Sequence, residues 1–219
     1  MNLAMIVSIL GQVLLVEAGL LLLPMGVSLL YGESCASAFA ITAAILLAVS
    51  LLTKLVRPKH RSFYAREGFI IVALSWVLLS AFGALPFWFS GEIPHYIDCF
   101  FETVSGFTTT GSSILTDVEA LSQGLLFWRS FTHWVGGMGV LVFVLAIVPM
   151  AGDRSMHLIR AEMPGPSVGK LVPRIRLTAK ILYQIYIAMT ALQVVLLCIG
   201  GMSLFDALIT AFGLSLIHI

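Results

Sequence analysis

Residues Phe100–Leu115 read FFETVSGFTTTGSSIL. Within a few positions an apolar, aromatic run gives way to three threonines, a glycine and two serines. The chain around this stretch is overwhelmingly apolar. Of its 219 residues 59% are hydrophobic and 11% charged, and the mean hydropathy is +1.04. Soluble domains carry roughly 25% charged residues. So few charges cannot cover a water-facing surface, which excludes a soluble globular domain and points to an integral membrane protein. The question becomes what a hydroxyl-rich string does in or beside a bilayer.

Long apolar segments frame it. Leu3–Tyr31, Cys35–Leu55, Gly68–Phe89, Leu125–Met150 and Leu177–Gly200 each hold the roughly 20 residues needed to cross ~30 Å of hydrocarbon. Backbone polar groups find no water there, so these segments are expected to be helices. The first lacks a basic n-region and exceeds the about 7–15 apolar residues of a signal peptide, so it reads as a membrane helix that stays. Lys54, Arg57, Lys59, Arg61 and Arg66 follow the second segment, and Arg154, Arg160, Lys170, Arg174, Arg176 and Lys180 follow the fourth; these are eleven of the 12 Lys and Arg residues. Positive loops stay cytoplasmic. The opposite loops carry Glu33, Glu92, Asp98, Asp117, Glu119 and Asp206 without Lys or Arg, so the N-terminus is expected inside. The net charge of +1 names no partner, because the charges are segregated along the chain, and nothing points to nucleic acid. Cys35, Cys99 and Cys198 show no metal or redox spacing. Cys35 and Cys99 are placed to pair outside, but read better as small semi-buried residues.

This topology isolates Tyr96–Phe107, which is apolar yet begins and ends outside. Its 12 residues span only ~18 Å as a helix, and apolar runs of about 10–14 residues suit a re-entrant segment. It is expected to dip into the membrane as a helix and return as TTTGSS. Irregular backbone is tolerated at that depth only when buried in protein or lining a water-filled cavity. A Thr/Gly/Ser strand suits a cation filter, in which backbone carbonyls aided by hydroxyls replace the hydration shell of potassium. Glycine permits the turn that aims a carbonyl at the pore, and the helix presents its negative dipole end to a cation. The alternative left open by the residues is a Ser/Thr-rich outer loop after an amphipathic helix.

FFETVSGFTTTGSSIL is followed by FWRSFTHWVGGMGVLVF (Phe127–Phe143) and RAEMPGPSVGKLVPRIRLTAKILYQIY (Arg160–Tyr186). In these three motifs, and over nearly its whole length, the chain resembles the Trk-type potassium uptake proteins, the TrkH/TrkG membrane subunits of the Trk/Ktr/HKT superfamily. The resemblance implies an all-α integral membrane protein with four repeats of helix, pore helix, filter and helix, pseudo-fourfold around one pore. It makes residues 1–57 an additional pair of N-terminal helices and 68–150 the first complete repeat. Residues 151–178 become a cytoplasmic loop and 179–213 the start of the second repeat, with Phe205–Gly213 its pore helix. Gly111 then stands at the key filter position, and Thr108, Thr109, Thr110 and Ser112 supply the remaining oxygens of one quarter. Potassium is expected to pass the backbone oxygens of Thr109, Thr110 and Gly111. No chemistry is catalysed, and no cofactor is called for beyond the transported ion.

The resemblance also implies a bacterial inner membrane, a homodimer, and a TrkA-type nucleotide-binding regulatory subunit docked on the cytoplasmic face, where Glu162, Pro164 and Arg174 fall in the matching motif. The Pro- and Gly-rich inner loop, Ala151–Thr178, is not expected to be one helix, and its basic residues also suit anionic lipid. Residues 214–219, LSLIHI, depart from the expected filter. They are encodable by CTG TCT CTT ATA CAC ATC, resembling a transposon-adapter end, so they read as a non-native tail on a fragment.

Several other residues stand out. Arg129, the only basic residue outside the inner loops, is expected either to snorkel beside Trp128 or to pair with Glu102 behind the filter. In the second case reversing both charges should restore transport lost in either single variant. His133 lies four residues on, on the same helix face, and reads as a packed, hydrogen-bonded histidine. Gly136, Gly137 and Gly139 favour close helix contact beside the pore wall. Glu17, mid-span, is expected to face protein, protonated or hydrogen-bonded. A membrane enzyme using His95, Asp98 and Glu102 leaves the hydroxyl-rich strand without a task. A non-transporting subunit and a sodium-permeable transporter remain the rivals to potassium uptake.

Overall fold

The computed structural model describes residues 3–55, 65–139 and 175–214. Within them the chain is helical, without strands: α1 Leu3–Leu20, α2 Leu22–Leu30, α3 Ala36–Lys54, α4 Ala65–Gly83, α5 Leu85–Ser90, α6 Tyr96–Phe107, α7 Gln123–Gly137, α8 Ile175–Ile199 and α9 Leu204–Leu214. Four apolar spans are long enough to cross a bilayer: Leu3–Leu30, Ala36–Lys54, Glu67–Ser90 and Lys180–Ile199.

Two of the spans are broken, and proline is the cause. Pro24 has no N–H to give Leu20, and Pro86 none to give Phe82, and each ring crowds that carbonyl. The helix therefore breaks at Leu21 between α1 and α2, and at Ala84 between α4 and α5. Leu21 N still donates to Glu17 O (3.0 Å) and Ala84 N to Ser80 O (3.1 Å), so each pair continues as one span. The fourth apolar segment behaves differently. Of Leu125–Met150 only the part up to Gly139 is described, and there α7 ends at Gly137, with Gly139 at φ +69°. Residues 56–64 and 140–174, with the expected docking motif of Glu162, Pro164 and Arg174, and residues 215–219 lie outside the described residues, whereas Lys54 ends α3, Arg66 lies in α4, and Arg176 and Lys180 lie in α8.

The core is built around α6, which packs between α4 and α7, while α1 packs on α3 and α4. Three side chains reach the carbonyls around the Pro86 kink. Tyr96 Oη donates to Ala81 O (2.8 Å), Thr103 Oγ1 to Ser80 O (2.9 Å) and Trp128 Nε1 to Gly83 O (2.9 Å). Backbone acceptors near a kink are thereby satisfied in a low-dielectric setting. Trp128 is fully buried and meets Phe107 edge-on, ring centroids 6.3 Å apart. The aromatic cluster of Phe127, Phe131, Trp134 and Phe212 joins α7 to α9. Trp134 Nε1 donates to Thr190 Oγ1 (3.1 Å), and Tyr186 Oη to Trp134 O (2.9 Å), joining α7 to α8.

Glu17 faces this interior. It is fully buried, neither carboxyl oxygen has a hydrogen-bond partner among the described residues, and it lines a cavity of about 20 Å³ with Leu79, Phe107 and Val135. Cys35 and Cys99 are free thiols, both buried.

The start of α7 is held from elsewhere. Its N-cap, Ser122, makes no side-chain cap of its own. Instead Glu33, between α2 and α3, accepts Gln123 N (2.7 Å) and Gly124 N (3.0 Å) on its two oxygens, and Glu92 accepts Ser122 N (2.9 Å). Carboxylates satisfy the otherwise unpaired first N–H groups and favour the positive end of the helix dipole. Replacing a capping side chain by alanine typically costs about 0.5–2 kcal/mol. Glu33→Ala is expected to lower the thermal unfolding midpoint in detergent, and Glu33→Gln, which keeps one acceptor, to lower it less. Equal midpoints for all three proteins would refute the capping role.

Candidate functional site

The site begins where α6 stops. Thr108, Thr109 and Thr110 are β-branched and poor helix formers, and the Thr108 hydroxyl turns back to Val104 O (2.7 Å). Thr109 N donates to Gly106 O and Thr110 N to Ser105 O, both at 2.9 Å. These are the paired bonds of a Schellman cap, whose penultimate residue is left-handed. That place, usually glycine, is held here by Thr109 at φ 58°, the one non-glycine residue with positive φ among those described. A left-handed L-residue costs about 1–2 kcal/mol, so the cap bonds hold the threonine in a conformation it does not prefer. Two residues on, Gly111 takes φ +75° at no such cost. The chain thus changes hand twice within three residues and leaves as an irregular segment, called the strand below for brevity.

The returning limb is tied to α6 and α7 by one carboxylate. Glu102, 1% exposed, accepts the Ser113 hydroxyl (2.6 Å) and Ile114 N (2.7 Å) on Oε1. Its Oε2 lies 3.0 Å from Arg129 Nε. Arg129 therefore pairs with Glu102 instead of reaching only for the interface. The Arg129 carbonyl accepts Thr132 Oγ1 (2.6 Å) and lies 2.9 Å from His133 Nδ1, so the buried His133 is satisfied within its own helix.

Close approach of α6 and α7 depends on small residues. A Cβ on Gly106 would strike Thr132 Oγ1, and one on Gly136 would strike the Phe107 carbonyl oxygen. Gly137 is half-buried and Gly139, past the helix end, is buried.

The sequence-derived filter residues thus occupy one continuous strand. Among the described residues no hydrogen bond reaches the carbonyl oxygens of Thr109, Thr110 or Gly111. Thr108 and Thr110 bring their hydroxyls to 2.9 Å of each other and are exposed, as is Gly111. Ser112 differs: its carbonyl accepts the Ser105 hydroxyl at 2.6 Å and is turned toward α6. Sequence reading missed Ser105, placed Ser113 in the filter stretch without its bond to Glu102, and named Glu33 only as an outer-loop acid. Ser105 was nonetheless detectable, since it stands three residues after Glu102 on the same helix face. Of the enzyme-like trio, Glu102 is committed to the strand and Arg129, while His95 and Asp98 stand at the far end of α6. No group of His, Cys, Asp and Glu suited to a metal occurs among the described residues.

An all-helical chain among the described residues, with four helices long and apolar enough to cross a membrane and a short helix, α6, packed between α4 and α7, defines a class: helical membrane proteins. The family profile TrkH, described as cation transport protein, matches residues 36–212, and the chain belongs to that family. The Trk system potassium uptake protein TrkH of Escherichia coli (strain K12) is 40% identical over 217 residues, 97% of this chain and 45% of that protein. The Trk system potassium uptake protein TrkG of the same strain is 37% identical over 191 residues, 84% of this chain and 39% of that protein. The crystal structure of the potassium transporter TrkH from Vibrio parahaemolyticus matches with a TM-score of 0.77 at 33% identity, covering 97% of this chain and 42% of that one. The chain therefore spans less than half the length of these relatives, which are named as transporters or uptake proteins and not as enzymes.

Proposed function

We propose that this chain contributes one quarter of a potassium-selective filter to a Trk-type uptake system. The observation that carries the proposal is the strand after α6, where the carbonyls of Thr109, Thr110 and Gly111 accept no hydrogen bond among the described residues. Such oxygens replace the water around a dehydrated potassium ion. The family's printed names, potassium uptake protein and potassium transporter, support the choice of ion. Basic inner loops support a cytoplasmic N-terminus in a bacterial inner membrane. The word "system" in those names supports a second component; we assign it as a TrkA-type nucleotide-binding subunit on the cytoplasmic face, with the membrane subunit a homodimer.

The test is a chimera in which this chain replaces the segment of Escherichia coli TrkH that it matches, expressed in a strain lacking potassium uptake. Potassium-tracer uptake and growth at low potassium are expected with the native residues. Gly111→Ser places an L-residue at φ +75°, at about 1–2 kcal/mol, and is expected to cut uptake sharply while leaving the protein in the membrane. Undiminished uptake with Gly111→Ser would remove the strand from the ion path. A chimera that inserts but carries no potassium would overturn the function itself.

A further inference from the structure

Ser105 touches the filter strand at two points that bracket Gly111. Its backbone carbonyl accepts Thr110 N at 2.9 Å, and its side-chain hydroxyl donates to Ser112 O at 2.6 Å. The residue is 4% exposed and lies in the last turn of α6. Thr110 and Ser112 are the immediate neighbours of Gly111 in the chain. Glycine at positive φ is the most permissive point of the strand, and here its flanks are pinned to one rigid helical residue. With Thr110 N and Ser112 O both fixed, the peptides between them lose freedom to rotate. The carbonyls of Thr110 and Gly111 are the oxygens that lie in that interval.

The two bonds differ in their dependence on sequence. The first uses backbone and survives any substitution compatible with the helix. The second exists only because residue 105 carries a hydroxyl. A hydroxyl oxygen also accepts, and threonine can make the same donor contact, whereas alanine leaves the Ser112 carbonyl without its partner.

We propose that Ser105 is a positioning residue for ion selectivity: its hydroxyl anchors the Ser112 carbonyl toward α6 and so sets the aim of the Thr110 and Gly111 oxygens. The assignment rests on the potassium reading of the strand. A filter discriminates between ions through the number and placement of its oxygens, so a strand released on one side of Gly111 loses discrimination before it loses conduction.

The experiment uses the Escherichia coli TrkH chimera with Ser105, Ser105→Ala or Ser105→Thr, and compares uptake of rubidium and sodium tracers at matched amounts of membrane-inserted protein. Ser105→Ala is expected to lower the rubidium-to-sodium uptake ratio by roughly tenfold, equivalent to about 1.4 kcal/mol of discrimination. Ser105→Thr is expected to restore most of the ratio. A purely structural role would lower both fluxes together and leave the ratio unchanged. That result, or a ratio unaltered with both fluxes intact, overturns the inference. Failure of the native chimera to carry rubidium or potassium instead overturns the potassium reading, and the inference with it.

Discussion

Glu102→Ala is expected to abolish uptake and to destabilise the protein by about 3 kcal/mol or more. One carboxylate serves three donors: the Ser113 hydroxyl, the Ile114 N–H and the Arg129 guanidinium. Removing one partner of a buried ion pair costs about 3–5 kcal/mol, because the remaining charge stays desolvated. Arg129 retains 14% side-chain exposure and can partly recover water, which favours the lower end. The Ile114 amide also loses its acceptor, in a residue that is 41% exposed. Sequence reasoning expects reversal of both charges to rescue transport. The geometry changes that expectation. Arginine has no acceptor, so Glu102→Arg with Arg129→Glu restores the charge pair but strands Ser113 and Ile114. The double variant is therefore expected to remain defective, whereas Glu102→Gln keeps an acceptor for the strand and retains part of the activity. Tracer uptake and thermal unfolding in detergent measure both effects. Full rescue by the double swap would show that Glu102 acts through Arg129 alone.

Gly136→Ala is expected to be nearly as damaging, by a different route. A methyl at this position meets the carbonyl oxygen, carbonyl carbon and Cα of Phe107, all backbone. Flexible side chains yield to an added methyl, but the last residue of α6 yields only by carrying Thr108 and the segment proposed as a filter with it. Overpacking in a tight interior costs about 1–3 kcal/mol, and here the displacement is delivered to the segment after α6. Gly19 provides the control, since nothing lies within 4 Å of a Cβ built there. Gly19→Ala, in the last turn of α1, is expected to be neutral or slightly stabilising, by up to about 1 kcal/mol. The contrast is read from unfolding midpoints and uptake side by side. Similar behaviour of the two variants would mean that α6 and α7 do not approach through Gly136.

Much of this architecture is legible in the chain because it follows from local composition. Apolar runs of sufficient length dictate the spans, since backbone groups must be satisfied within each segment. The bounds of α6 are readable because His95 precedes an apolar run that ends in three consecutive threonines. The Glu102–Arg129 pair is legible through scarcity: with one basic residue outside the inner loops, a buried carboxylate nearby has a single candidate partner. Even the breaks at Leu21 and Ala84 are implicit in Pro24 and Pro86, which withhold one N–H each.

Contacts between distant segments belong to the tertiary structure alone. Glu33 caps a helix that starts 90 residues later, and nothing in its neighbourhood distinguishes it from the other outer acids. Gly136 is one of three nearby glycines, and only the packing of α7 on α6 makes it the one that meets Phe107. Ser112 appears equivalent to its hydroxyl-bearing neighbours until the direction of its carbonyl, toward Ser105, is known. The sequence by itself determined which segments are long and apolar enough to cross a membrane and where α6 ends, because those depend on length, hydropathy and the local preferences of proline and threonine. Which carbonyls after α6 accept no hydrogen bond among the described residues was decided only by the tertiary structure, because a carbonyl's partner is set by what packs against it and not by its own residue.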